Sequence, residues 1–312
     1  MKTIKNTVIL LCACFGAIGC NKVEVAVPTF DVEVETLTYK VGDAVNFTFT
    51  GDADQITFYS GETMSDYAYK DGRVDKVLAL NTSFSTAIRY GLASGQKDLV
   101  SVWISSDFNG EYTIEGVHNA TWKDNVTKNF TLAPPTMDDN TAANFVPSGV
   151  LDIMSEAEEG KPLYFAFRYK KDAGKAQRNW FMRNIAVNAV TDLGSFSLFD
   201  ASGFTLVYDN NFETDTDKNS AVTSTQITLR SPNPFDPLAV EVWAISPPIS
   251  TAETDLGPDK GTPIKGFRDL KIENYTYTYE EAGEYTVTFV ASNSNLYGES
   301  KVVKQLKITV TE

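Results

Sequence analysis

Histidine is almost missing from this chain: His118 is the only one in 312 residues. Cysteine is nearly as scarce, and Cys12, Cys14 and Cys20 all fall within the first twenty positions. An H-E-x-x-H zinc helix is therefore impossible, and so are thiol catalysis and thiolate- or imidazole-rich zinc sites in the rest of the chain. No G-x-S-x-G nucleophile elbow occurs either. Basic residues are outnumbered, 27 Lys and Arg against 41 Asp and Glu, for a net charge of −14. With no basic cluster and no aromatic nucleic-acid motif, a polyanionic partner such as nucleic acid is disfavoured. Helical periodicity is lacking as well, apart from a single turn expected around 155–159.

The first nineteen residues have a basic start at Lys2 and Lys5, an apolar run at 8–15, and small residues Ala17-Ile18-Gly19 ahead of Cys20. That is the pattern of a signal peptide. Because a cysteine follows the small residues, it resembles a bacterial lipobox, which implies cleavage before Cys20 and acylation of its thiol. Residues 20–28 are then a short lipidated tether. Loss of Lys2 and Lys5 leaves 25 basic residues against 41 acids, a formal −16. A disulfide within one mature chain is not expected, since Cys20 would be its only cysteine. No second apolar run reaches bilayer length, so the lipid is the expected membrane attachment.

What the chain has in abundance is short alternating segments between Gly, Asn, Asp and Pro turns, which predict an all-β protein of two domains. Near the C-terminus, Tyr285, Val287, Phe289 and Ala291 alternate with Thr286 and Thr288, and Leu306, Ile308 and Val310 form a final strand. Gly283-Glu284-Tyr285 suits a tyrosine corner, with Val287 where an antibody-type domain carries its disulfide cysteine. Near the N-terminus, Val45, Phe47 and Phe49 point one way, and Ile56 and Phe58 follow past a turn at Gly51-Asp52. VGDAVNFTFTG and AGEYTVTFVASN together resemble the two ends of a PKD-type Ig-like module. Segments 29–60 and 265–312 are therefore expected to form one β-sandwich, split by an insertion at 61–264.

Within the insertion, strands are expected at 82–88, 99–105, 163–169, 180–190, 225–229 and 240–245. SSDFNG at 105–110, NATWKDNV at 119–126, KPLYFAFRYK at 161–170 and NWFMRNIAVNAV at 179–190 resemble, in that order, a galactose-binding-like jelly roll of the choice-of-anchor-J type. Arg183-Asn184 departs from the Asp-Asn common there. The turn-rich stretch 133–149 shows no strand and is expected to cover one mouth of the jelly roll. The whole combination resembles a Bacteroidetes lipoprotein family of unknown function found near starch-utilisation-system type glycan-uptake proteins. The resemblance implies an outer-membrane lipoprotein and a place beside such uptake-complex proteins. It supplies no catalytic residues.

Three kinds of site remain. Asp107 and Asn109 in Asp107-Phe108-Asn109-Gly110 suit a structural calcium, or simply Asx-turns in a β loop. The stretch 209–219 carries Asp215, Asp217 and Asn219 at EF-hand spacing, but Ser220 and Gln226 replace the glycine and glutamate, so it is no EF-hand. Tryptophan offers the second candidate. Trp103 alternates with the apolar Val100, Val102 and Ile104, and Trp243 alternates with Val240, Val242 and Ala244. Two readings stand: a platform on which sugar rings stack, or a second core if that sheet face is covered. Trp122 and Trp180 are expected to be buried packing residues, and His118 a solvated loop residue. The third candidate is a carboxylate pair for glycoside hydrolysis, which 41 acids neither identify nor rule out. The expected function is non-catalytic: a lipid-anchored envelope protein, with no cofactor, that binds glycan or assists an uptake complex. A structural or adhesive module contacting protein is the alternative.

Overall fold

A computed structural model describes residues 24–90, 95–124, 126–137, 144–212, 218–232 and 238–312. The signal segment, the acylation candidate Cys20, and Asp215 and Asp217 of the EF-hand-spaced stretch lie outside the described residues. The protein is all-β, and its described residues contain one α-helix, Ile114–Asn119, with a few 3-10 turns. No helix among the described residues is long and apolar enough to cross a membrane. The chain divides into two compact units, Met1–Lys70 with Asp259–Glu312, and Asp71–Pro258.

In the first unit a three-stranded sheet runs in the order Asp31–Val34, Ala44–Thr50, Asn274–Thr278. A five-stranded sheet runs Thr262–Lys265, Gln55–Tyr59, Gly283–Asn295, Gly298–Thr311, Thr38–Lys40. Strict alternation builds the core between them: Val45, Phe47 and Phe49 are buried while Ala44, Asn46, Thr48 and Thr50 are exposed. Phe289 reaches across to Phe47 and Phe49, with ring centroids 5.0 and 5.2 Å apart. Val287, at the position of the missing cysteine, is fully buried. The Tyr285 hydroxyl donates to the Glu281 carbonyl at 2.9 Å, the upstream backbone bond of a tyrosine corner. Thr288 departs from its expected polar face: it is fully buried, and its hydroxyl accepts from Gln305 Nε2 at 3.1 Å.

This unit extends past the expected 29–60 and 265–312 to take in 61–70 and 259–264. Backbone bonding explains the difference. The Asp66 N–H donates to the Asp259 carboxylate, Asp259 N–H donates to the Tyr69 carbonyl, and Lys260 N–H donates to the Met64 carbonyl. Thr262–Lys265 then continues as a strand beside Gln55–Tyr59.

In the second unit a four-stranded sheet runs Thr205–Tyr208, Val240–Ile245, Tyr164–Lys171, Val100–Ser105. It packs on a larger sheet ordered Ala221–Val222, Gln226–Leu229, Asn179–Thr191, Ala79–Arg89, Val146–Pro147. Gly194–Phe199 pairs in addition with Asn179–Thr191, and Leu151–Asp152 with Ala79–Arg89. Val102, Phe165, Phe167, Tyr169, Val242 and Trp180 are among the side chains buried between the two sheets. Arg89 and Thr191 extend two of the expected strands, and Val146–Pro147 is a strand inside the stretch expected to hold none. At the Arg183-Asn184 departure the register shifts, and Asn184 takes a φ of +51°, a left-handed conformation that asparagine tolerates better than most residues. The expected turn at 155–159 is a 3-10 turn at Met154–Glu156.

Candidate functional site

The four-stranded sheet has two faces, and its outer one carries a second, smaller cluster. Period-2 alternation along Tyr164–Lys171 sends Phe165, Phe167 and Tyr169 into the main core and Tyr164, Ala166 and Arg168 outward. The neighbouring strands add Trp103 and Trp243 on that outer side, as their sequence phase predicts. Antiparallel register sets Trp243 opposite Arg168, and Trp103 opposite Ala166. The two tryptophans sit on strands flanking a central one, roughly 9–10 Å apart across the sheet and offset by roughly 7 Å along it. Their rings nonetheless approach to 5.6 Å between centroids, in one cluster with the small, fully buried Ala166 that faces Trp103 on the central strand.

The cover of this face is the excursion 106–122, closed at its base where Ile104 and Lys123 exchange backbone hydrogen bonds of 3.1 and 2.8 Å. Asp107 holds it together. Its Oδ1 accepts from the Ser105 hydroxyl and from Thr121 N–H, each at 2.8 Å, so one carboxylate ties both ends of the excursion. Burial works to raise the Asp107 carboxyl, and the hydrogen bonds from Thr121 and Ser105 outweigh it, leaving its pKa below the ordinary value. Asn109 Oδ1 accepts from Glu111 N–H at 2.9 Å. Both calcium candidates thus have turn-building roles, and no cluster of three or more Asp, Glu, His or Cys side chains placed to hold a metal occurs among the described residues.

Within the excursion Thr113 caps the helix Ile114–Asn119, its hydroxyl accepting from Gly116 N–H at 3.0 Å. Gly116 is required there, because a Cβ would stand 2.2 Å from the Glu111 carbonyl oxygen. Phe108 packs edge-on against Tyr164 at 5.0 Å, and also against Tyr112 and Trp122. The Trp122 indole donates to the Val117 carbonyl at 3.0 Å.

Between cover and sheet a groove of about 330 Å³ remains, lined by Trp103, Val117, His118, Ala120, Trp122, Arg168, Glu241 and Trp243. Arg168 forks onto Glu241, with Nε to Oε1 at 3.0 Å and Nη2 to Oε2 at 3.2 Å. Its guanidinium lies 5.1 Å from the Trp103 ring centroid and 5.3 Å from that of Trp243. Glu241 Oε1 also accepts from the Trp243 indole, and His118 Nε2 stands 3.8 Å away. Burial pushes the Glu241 carboxyl up, but Arg168, the Trp243 indole and His118 together bring it below the ordinary range. The Trp103 indole donates to Ser101.

The structure therefore brings Trp103 and Trp243 together, with Trp103 half-buried and Trp243 only 3% exposed. Two expectations are corrected. Trp122 is not a buried packing residue but a half-buried wall of the groove, 5.0 Å from Trp243. His118 is on the helix rather than in a loop, and its side chain is 59% exposed. Arg168, Glu241 and Ala166 were missed. Their signal was the polar side of the strands that carry the two tryptophans, where Arg168 and Glu241 stand at outward positions.

The fold and groove define an all-β protein of two sandwiches with an aromatic groove on the second. The chain belongs to the family described as Domain of unknown function (DUF5017), whose model matches residues 19–205, more than half of its length. That match contains Trp103, His118, Trp122 and Arg168 and ends before Glu241 and Trp243. No curated protein matches the chain.

Proposed function

We propose that this is a non-catalytic lipoprotein, anchored at Cys20 in the outer membrane, that binds glycan in the tryptophan groove and serves a starch-utilisation-system type uptake complex. The finer architecture belongs to the same reading, a split PKD-type Ig-like sandwich interrupted by a galactose-binding-like jelly roll. The observation that carries the functional part is the meeting of three of the four tryptophans at one groove with a charged pair between two of them. Sugar rings present apolar C–H faces to indoles and hydroxyls to hydrogen-bonding groups. Trp103 and Trp122 offer the first, and the Arg168–Glu241 pair with His118 offers the second. Stability gives no reason for the pair, since apolar residues of similar volume in such a place often stabilise as well or better. A non-catalytic role fits the chemistry: a glycosidase needs two carboxylates flanking the bond, and Glu241 is the one acid among the described lining residues.

A screen of the purified protein against neutral and acidic polysaccharides tests this. The expected result is binding that Trp103→Ala weakens several-fold with little change in melting temperature. Failure to bind any polysaccharide would overturn the sugar reading and leave the protein-contact alternative.

A further inference from the structure

One end of the first sandwich gathers three chain segments that expose apolar side chains. Register identifies the end. Ile56 pairs with both Lys265 and Ala291, and Gln55 pairs with Ser292, so the loop after Lys265 and the hairpin turn after Asn295 leave the sheet in the same direction. The N-terminal segment arrives there too: Asn293 Nδ2 donates to the Ala26 carbonyl at 2.9 Å, and Val25 Cγ2 lies about 4.0 Å from where a side chain on Gly298 would begin. At the hairpin turn Leu296 is 98% exposed and Tyr297 half-exposed. In the loop Leu270 is 88% exposed and Phe267 is exposed, and Val27, next in sequence to the pinned Ala26, is exposed as well. None of these is needed to shape its turn. The hairpin is closed by Asn295, whose side chain accepts from Tyr297 N–H at 2.8 Å, and Asp269 accepts from Gly266 N–H at 2.7 Å.

We propose that this end, through Leu296, Tyr297, Phe267 and Leu270, rests in the surface of a phospholipid bilayer. The proposal rests on the reading of Cys20 as an acylated anchor. Val25 is the fifth residue after Cys20, so the anchor point lies no farther than ~18 Å from the pinned segment. A lipid inserted through Cys20 therefore holds this end, and not the opposite one, against the membrane. Exposed Arg268 and Lys271 stand beside Phe267 and Leu270 in the loop, long side chains that reach headgroups next to apolar ones for the acyl boundary, while Asp269 and Glu273 leave the loop without net charge.

The test uses the full acylated chain extracted from membranes and reconstituted into phosphatidylethanolamine–phosphatidylglycerol vesicles. Leu296→Cys and Leu270→Cys each carry an environment-sensitive dye, with Leu37→Cys as control. Leu37 is exposed and bonds Thr309 near the far end of the strand Gly298–Thr311. Dyes at 296 and 270 should shift to the blue and be quenched by doxyl lipids, while the dye at 37 stays open to iodide. Without any dye, Leu296→Asp with Tyr297→Asp should leave vesicles at least about tenfold faster. The mass of the N-terminal peptide separates the two ideas. An acylated Cys20 with dyes at 296 and 270 still open to iodide would overturn the docking end alone, and an unacylated Cys20 would overturn the anchor and the docking end together.

Discussion

The two faces of the four-stranded sheet are built by the same strands and do opposite work. The inner face is Phe165, Phe167, Val102 and Val242, all without exposure, and carries a charge only at the strand's end, where the buried Lys171 donates to the Leu238 carbonyl. The outer face, one residue out of phase, carries Arg168, Glu241 and two tryptophans under a cover that leaves a groove. One-residue phase in a strand thus separates the part of this sheet that holds the fold from the part available to a ligand. Substitutions on the two faces should divide accordingly.

The largest effect is expected on the inner face. Phe167→Ala should lower stability by about 3–5 kcal/mol in urea denaturation, through lost burial and the cavity it leaves. A loss below 1 kcal/mol would mean the inner face is not the principal core. On the outer face, Arg168→Met alone should cost less, under about 3 kcal/mol, because Glu241 loses its partner at a site that is only partly shielded. Adding Glu241→Met should recover most of that stability while glycan binding stays lost. Should the double variant be as unstable as the single, the pair would belong to the fold rather than to the groove.

Trp103→Ala should change stability by less than about 1 kcal/mol, since the ring is half-buried at the rim, and should still weaken binding. A melting shift like that of Phe167→Ala would make the outer face a second core. The smallest effect concerns pH. The native Glu241 carboxyl holds its proton less tightly than the unfolded chain, whose ordinary value is 4.5, so its contribution to stability is complete above that value and is lost as pH falls through the native pKa. Urea midpoints measured down this range should fall more steeply for the wild-type protein than for Glu241→Gln. Parallel curves would remove Arg168 as the partner that holds the charge.

Much of this contrast could be read before any coordinates. Period-2 alternation put Val102 and Val242 on one face and Trp103 and Trp243 on the other, because strand phase is local information. The half-burial of Trp122 and the helical setting of His118 were not legible, because both depend on how 106–122 folds back over the sheet. That path is fixed by Asp107 reaching Thr121, fourteen residues away, and by a helix of six residues, too short to show a period. The Arg168–Glu241 pair depends on register between strands 73 residues apart, which no local pattern reveals. The same holds for the edges of the first sandwich, where Asp66 finds Asp259 across the whole second unit of sequence. Asp107 and Asn109 had a legible oxygen-rich pattern, and in the structure it serves turns.

The most direct measurement is the indole N–H spectrum of protein labelled with 15N at its four tryptophans, recorded while a polysaccharide that scores in the screen is added. Trp180, buried between the two sheets, is an internal control. The account predicts that the Trp103, Trp122 and Trp243 resonances move together along one titration curve while that of Trp180 stays in place. Saturable binding that leaves the three groove resonances unmoved would contradict it.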